Sequence, residues 1–247
     1  MYETRITAFV DLLGFRDLVE KSRRDASLVP QLVLALEAIY DGYPAWRTSP
    51  PPPEVPPEYV DDRKSLIRSH TFSDSILVSS ETTVAGIYAV VKGVCFTITR
   101  LLGMGQLARG GIALGDLYHD ERIVFGPALV EAYDLEHKTA NCPRILLSEE
   151  FIALAREYEE VTPYFRRDSD GLFFLDVLSW QIDSDPQDHG WLPLARRWME
   201  SLRSDTEARI HSKEDERVHD KNVWFARYFN EVVRQHSELG VSTIEIV

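Results

Sequence analysis

Three observations predict an α+β fold for this chain of 247 residues. Strand-like and helix-like apolar patterns follow one another in the order β-α-α-β-β-α-β-α-β-α-β-β, with hairpins among the strands, so the sheet is expected to be mostly antiparallel. Hydrophobic residues make up 44% of the sequence, enough for a sizeable core. From about Asp185 onward the composition turns to charged, helix-periodic sequence, which reads as a helical extension over 185–247 beyond a main domain at 1–180.

Each element has its own signal. Thr4 to Val10 alternates and then runs continuously apolar at Ala8-Phe9-Val10, the pattern of a buried strand. From Phe15, the spacing of Phe15, Leu18 and Val19 fits a helix, and Leu28 to Ile39 repeats that period with Pro30 in the first turn, where its missing N–H costs nothing. Residues 48–58 carry SPPPPEVPP, which forms neither sheet nor helix and is expected to be an exposed loop. Ser65–Thr71 and Ser75–Ser80 pair as a hairpin, and Thr83 to Leu102 is a buried helix stopped by Gly103 and Gly105. Gln106 to Leu114 is a strand whose Gly110-Gly111 pair marks close approach of a backbone or a ligand. Pro127 opens a helix over Ala128 to Lys138, Arg144 to Leu147 is a strand, Ser148 caps a helix, and Tyr164 to Leu178 forms a hairpin turning at Asp168 to Gly171. Trp191–Arg209 and Lys221–Gln235 complete the helices. Helices against a sheet in this order suggest a ferredoxin-like arrangement.

Composition removes several function classes. A formal net charge of −13 repels nucleic acid and anionic membranes. Two cysteines, Cys95 and Cys142, are too few for a disulfide framework or a cysteine-built zinc site. The N-terminus has no signal-peptide pattern and no apolar run reaches the roughly 18 residues of a membrane span, so a cytoplasmic protein is expected. The seven histidines show neither HxxxH nor HExxH spacing, and GxxxxGK[ST], GxGxxG and GxSxG are all absent.

The chemistry concentrates in two stretches. In ITAFVDLLGFR, a buried strand ends at a lone carboxylate, Asp11, followed by Gly14 and a helix start. In HTFSDSILV, Asp74 sits near a hairpin tip. Each aspartate alone has an ordinary explanation, as an N-cap or a turn former. As neighbours they offer what a divalent-metal nucleoside triphosphate site needs, hard oxygen ligands beside free backbone N–H groups. Arg109 adds planar donors suited to phosphate oxygens.

FVDLLGF, FSDSI, RGGIALG and VFGPALVEAYDLE, in this order, resemble the class III nucleotidyl cyclases. More narrowly, the chain is similar to the bacterial pyrimidine cyclases of the Pycsar antiphage systems, over roughly Thr4 to Trp180. The resemblance implies a homodimer with active sites at the subunit interface, using two Mn²⁺ or Mg²⁺ ions per site to convert UTP or CTP to the 3′,5′-cyclic monophosphate and pyrophosphate. The product would activate a separate effector, without need for direct contact. By position, Asp11 and Asp74 match the metal-binding aspartates and Leu12 the residue whose backbone carbonyl also ligates a metal. Leu13, Gly14, Phe15 and Arg16 match the turn that cradles the β- and γ-phosphates, and Arg109 matches an arginine that contacts the triphosphate.

The chain departs from the purine cyclases at four places. Their purine-reading lysine and aspartate fall on His70 and Ile123, and their catalytic asparagine and arginine fall on Val130 and Asp134. Lys138 is a candidate substitute in the transition state, and Tyr43 a candidate to fill the space beside a smaller base. UTP is favoured over CTP. A cytidylate cyclase and a degenerate cyclase fold that only binds nucleotide are the alternatives.

Overall fold

The computed structural model describes residues 1–48, 67–159, 161–183, 191–212 and 215–246. Strand β1 (Glu3–Leu12) leads through α1 (Phe15–Ser22) and α2 (Val29–Thr48) to the hairpin of β2 (Ile67–Phe72) and β3 (Ser75–Glu81). Helix α3 (Val84–Gly103) returns to β4 (Ala108–His119), and β5 (Val124–Phe125) folds back on the end of β4. Then come α4 (Pro127–Asp134), a π turn at Leu135–Thr139, β6 (Ile145–Leu147), α5 (Glu149–Ala155), β7 (Phe165–Arg167), β8 (Phe173–Leu175), α6 (Val177–Asp183), α7 (Trp191–Ile210) and α8 (Glu216–Gln235).

The fold is α+β, built on one mostly antiparallel sheet of order β2-β3-β1-β4-β6-β8-β7. Among the described residues, only the β4–β6 pair is parallel. The first four strands have the split β-α-β-β-α-β connection, with β1 held between β3 and β4.

Both faces of the sheet are covered, which explains why its strands read as apolar runs. Ile6, Ala8, Val10 and Leu12 of β1 enter the main core, beneath the largely buried α3. The alternate residue Phe9 points to the other face, where it meets Leu77, Ala113 and Ala132 of α4. Helix α3 is the one described helix long and apolar enough to cross a membrane, which corrects the expectation that no such stretch exists. Lys92 and Arg100 break its apolar run without lowering its average far enough, and 67% of its most apolar window is spent in the core.

Several boundaries differ from the sequence expectation. Helix α2 runs on to Thr48 instead of ending at Ile39, and α8 starts at Glu216, capped by Asp215, instead of at Lys221. Strand β4 continues past Leu114 to His119, because Gly115 to Leu117 pair with β1 and Tyr118 and His119 pair with β5. Leu178 belongs to α6 rather than to a strand, since Asp176 accepts from the Ser179 amide and starts a helix there. The helix opened by Pro127 ends as a π turn, closed by Ala140 N–H donating to Leu135 C=O at 2.7 Å. The proline-rich loop lies outside the described residues.

The C-terminal helices join the same core as the sheet. Met199, Leu202, Phe225 and Phe229 are buried with Ile98 and Leu101 of α3. Tyr228 Oη donates to Asp176 Oδ1 at 2.6 Å and accepts from the Leu178 amide, and Trp224 Nε1 donates to Asp168 Oδ2 at 2.9 Å. Asn230 clamps the backbone of Ile244 from both sides, with an N–H donated at 2.8 Å and one accepted at 2.6 Å.

Candidate active site

Asp11 lies one residue from the end of β1, paired with Ser75 on one side and Arg109 on the other. Ser75 Oγ donates to Asp11 Oδ1 at 2.7 Å. Asp74 occupies the two-residue turn between β2 and β3, with Ser73 in the left-handed region at φ 57°. The Asp74 carbonyl accepts the Leu12 amide at 3.1 Å, which draws the hairpin tip onto the end of β1. Asp11 senses the Asp74 charge. Burial first, and the Asp74 charge in addition, push the Asp11 carboxyl above its ordinary range, while the Ser75 hydrogen bond, Arg109 and His137 pull it down.

Arg109 is already engaged. Its Nε lies 2.5 Å from Glu136 Oε1, in a side chain only 3% exposed. The pair is in contact but not aligned as a hydrogen bond, so its attraction is ionic. Burial pushes the Glu136 carboxyl up and Asp11 pushes it further, with Arg109 acting in the opposite direction. Glu136 reaches this position because the π turn rests on β4: a Cβ at Gly111 would stand 2.5 Å from the Ala132 carbonyl oxygen and 2.6 Å from Leu135 Cβ. The glycine in the strand therefore marks approach of another backbone. The sequence did not point to Glu136, because Glu131, Glu136 and Lys138 also fit ordinary intrahelical pairs and an i→i+5 turn leaves no periodic trace.

The residues expected to cradle phosphate, Leu13 to Arg16, follow directly in the chain. Gly14 adopts φ 76°, a conformation open to glycine, and starts α1 without any side-chain cap. The first amides of a helix have no intrahelical partner, so those of α1 remain available to an anion. The Leu13 amide is not available to an anion, since it donates to Leu107 C=O at 2.9 Å.

The remaining candidates are more dispersed. His70 shares the face of Asp11 on the outer strand β2, with Nδ1 2.9 Å from His119 Nε2. Ile123 stands half-exposed between β4 and β5. Lys138 pairs with Asp134 at 2.8 Å on the exposed side of its helix, and no described contact joins it to Asp11, Asp74 or Arg109. The side chain of Tyr43 lies outside the described residues. Tyr133 stacks edge-on to Phe9 above the sheet, and Val130 and Phe125 present apolar surface nearby.

Among the described residues, no three His, Cys, Asp or Glu side chains gather as a metal-binding group. Asp11 and Asp74 alone give two hard oxygen donors, the number Mg²⁺ commonly takes from protein when substrate phosphates and water complete its shell. The donor set thus fits a cation shared with a triphosphate better than one caged by protein. No protein-family model matches the chain, and no curated protein matches it in sequence.

Proposed function

We propose that this chain is a pyrimidine nucleotide cyclase that converts UTP to 3′,5′-cyclic UMP and pyrophosphate, making a second messenger for antiphage defence. The observation that carries the proposal is the meeting of Asp11 and Asp74 at one end of β1, with Arg109 in register opposite Asp11 and the uncapped start of α1 immediately beyond.

Asp11, Asp74 and, by resemblance, the Leu12 carbonyl would hold the Mn²⁺ or Mg²⁺ ions. Bound there, the cations would activate the ribose 3′-oxygen and neutralise the leaving pyrophosphate. Arg109 leaves Glu136 in part to meet phosphate oxygens, which its planar guanidinium can grip with two parallel N–H donors. The amides of Gly14, Phe15 and Arg16 orient the β- and γ-phosphates. The rate then comes from positioning and charge neutralisation. A homodimer is part of the proposal: Ile123, Phe125, Val130 and Tyr133 leave apolar surface on this side for a second copy to cover.

One observation favours a second reading, a nucleotide-binding regulator on a degenerate cyclase fold. Arg109 is held by Glu136, while Val130 and Asp134 stand where a catalytic asparagine and arginine are found in purine cyclases. A single assay separates the readings. Purified protein is incubated with Mn²⁺ and each of the four nucleoside triphosphates, and products are resolved by mass spectrometry. Cyclic UMP is expected; nucleotide binding without cyclic product selects the regulator, and cyclic AMP or GMP as main product removes the pyrimidine assignment.

A further inference from the structure

Four strands meet in a polar seam separate from Asp11 and Asp74. Arg5 of β1 donates from Nε to Ser79 Oγ of β3 at 2.9 Å. His119 of β4 places Nδ1 2.7 Å from the same hydroxyl and Nε2 2.9 Å from Nδ1 of His70 on β2. Arg68 donates to the His119 carbonyl, and Glu3 pairs with Arg5 at 2.9 Å. Arg5, Ser79 and His119 are buried.

Counting protons gives the seam a direction. A guanidinium only donates, so Arg5 occupies a lone pair of Ser79 Oγ. Among the described residues, the one acceptor for the Ser79 proton is then His119 Nδ1. A buried hydroxyl left without an acceptor is costly, so the proton goes there. His119 is therefore protonated on Nε2 and donates to His70 Nδ1. Burial, with His70, Arg5 and Arg68 adding to it, keeps His119 neutral, its pKa pushed down to about 4. A neutral His70 carries its remaining proton on Nε2, for which no described residue is an acceptor. Its ring stacks beside Phe72, with centroids 6.2 Å apart and planes at 21°, and Phe72 is exposed, a flat apolar surface next to the donor.

We infer that the Arg5–Ser79–His119 relay fixes His70 as a hydrogen-bond donor, and that this donor selects uracil by meeting its O4 carbonyl. Cytosine carries an amino group at that position and would set N–H against N–H. Ser79 and His119 act through His70 and are positioning residues. The identity of the ligand rests on the cyclase reading above; the direction of the relay does not. A site built to hydrogen-bond one group rejects an analogue lacking it more strongly than an apolar pocket does.

Two measurements on the full chain test this. Imidazole ¹⁵N NMR of the nucleotide-free protein is expected to show Nε2–H at both His119 and His70, with Ser79→Ala erasing the preference at His119. An equal mixture of UTP and CTP with Mn²⁺ is expected to yield cyclic UMP in at least about tenfold excess. That excess collapses in His70→Gln, whose amide can donate or accept, and shrinks in Ser79→Ala. An Nδ1–H tautomer at either ring overturns the relay. A cyclic CMP majority, or a product ratio unmoved in His70→Gln, overturns the base assignment. No cyclic product from any nucleotide, with the expected tautomers present, overturns the cyclase reading and the uracil assignment while the fixed donor stands.

Discussion

Glu136 reaches from the π turn to within 2.5 Å of Arg109 Nε, so the arginine in register opposite Asp11 is tethered by a carboxylate that is 3% exposed. The two residues lie on elements that meet only because Gly111 has no side chain. The tether restrains the guanidinium, whose charge also pulls the Asp11 carboxyl down.

Breaking this pair from one side is expected to hurt more than removing it. Arg109→Met leaves Glu136 buried without a cation and should lower stability by about 3 kcal/mol in urea unfolding. The deficit should shrink as pH falls, because the stranded carboxylate escapes by taking a proton. The double variant Arg109→Met/Glu136→Leu should recover most of the loss and none of the turnover. Simple additivity of the two single effects would show that the pair is not coupled.

Asp11→Asn separates function from stability. Turnover should fall below about one hundredth of wild type, as expected when a group stabilising transition-state charge is lost. Stability near neutral pH should rise by a few degrees in melting temperature. The sign follows from the raised Asp11 carboxyl: wild type bears no penalty when both folded and unfolded states are protonated, and the penalty grows as pH climbs above the unfolded value of 3.8. The advantage of asparagine should therefore vanish in melts taken toward pH 3.8. A variant less stable than wild type at pH 7 would contradict the burial argument.

Gly111→Ala forces a Cβ into the Ala132 carbonyl and Leu135. The expected cost is about 1–3 kcal/mol from overpacking, read by thermal unfolding, together with a loss of turnover as Glu136 is displaced from Arg109. Gly14 offers an internal comparison, since nothing surrounds the position of its Cβ and the cost there comes only from its positive φ.

Acid should weaken the fold in a window set by His119. Above about 6.5 both states are neutral; between 6.5 and about 4 only the unfolded chain takes the proton, so stability falls by about 1.4 kcal/mol per pH unit; below 4 the contribution levels off. Urea unfolding from pH 8 to 4 measures the slope, and His119→Asn should flatten it within this window.

Much of the sheet was legible because buried strands and buried helices differ in length and period, and the turn at Ser73-Asp74 and the break at Gly14 are punctuated in the sequence itself. Asp11 and Asp74 stood out at a strand end and a hairpin turn, and Arg109 joined them through the order of motifs that resembles the cyclases. Glu136 could not, since a π turn has no repeating pattern to betray which side chain it turns inward. His119 escaped because β4 was expected to stop at Leu114: the residues that follow, Gly115 and Asp116, look like a strand end, and it takes pairing with β1 as far as Leu117 and then with β5 to carry the strand to His119. Relations that depend on register between distant strands are written in no single stretch of chain.

Asn230 grips both backbone groups of Ile244, and Phe225 and Phe229 lie beneath it in the core that α3 shares with the sheet. Sheet and C-terminal helices therefore have no separate melting point to offer: a chain cut after Asp183 would bare Ile98 and Leu101 and present to water what should be its interior. Trimming toward a minimal domain is expected to end in aggregates, and evolution could lengthen the loops of this molecule far more easily than shed its last sixty or so residues.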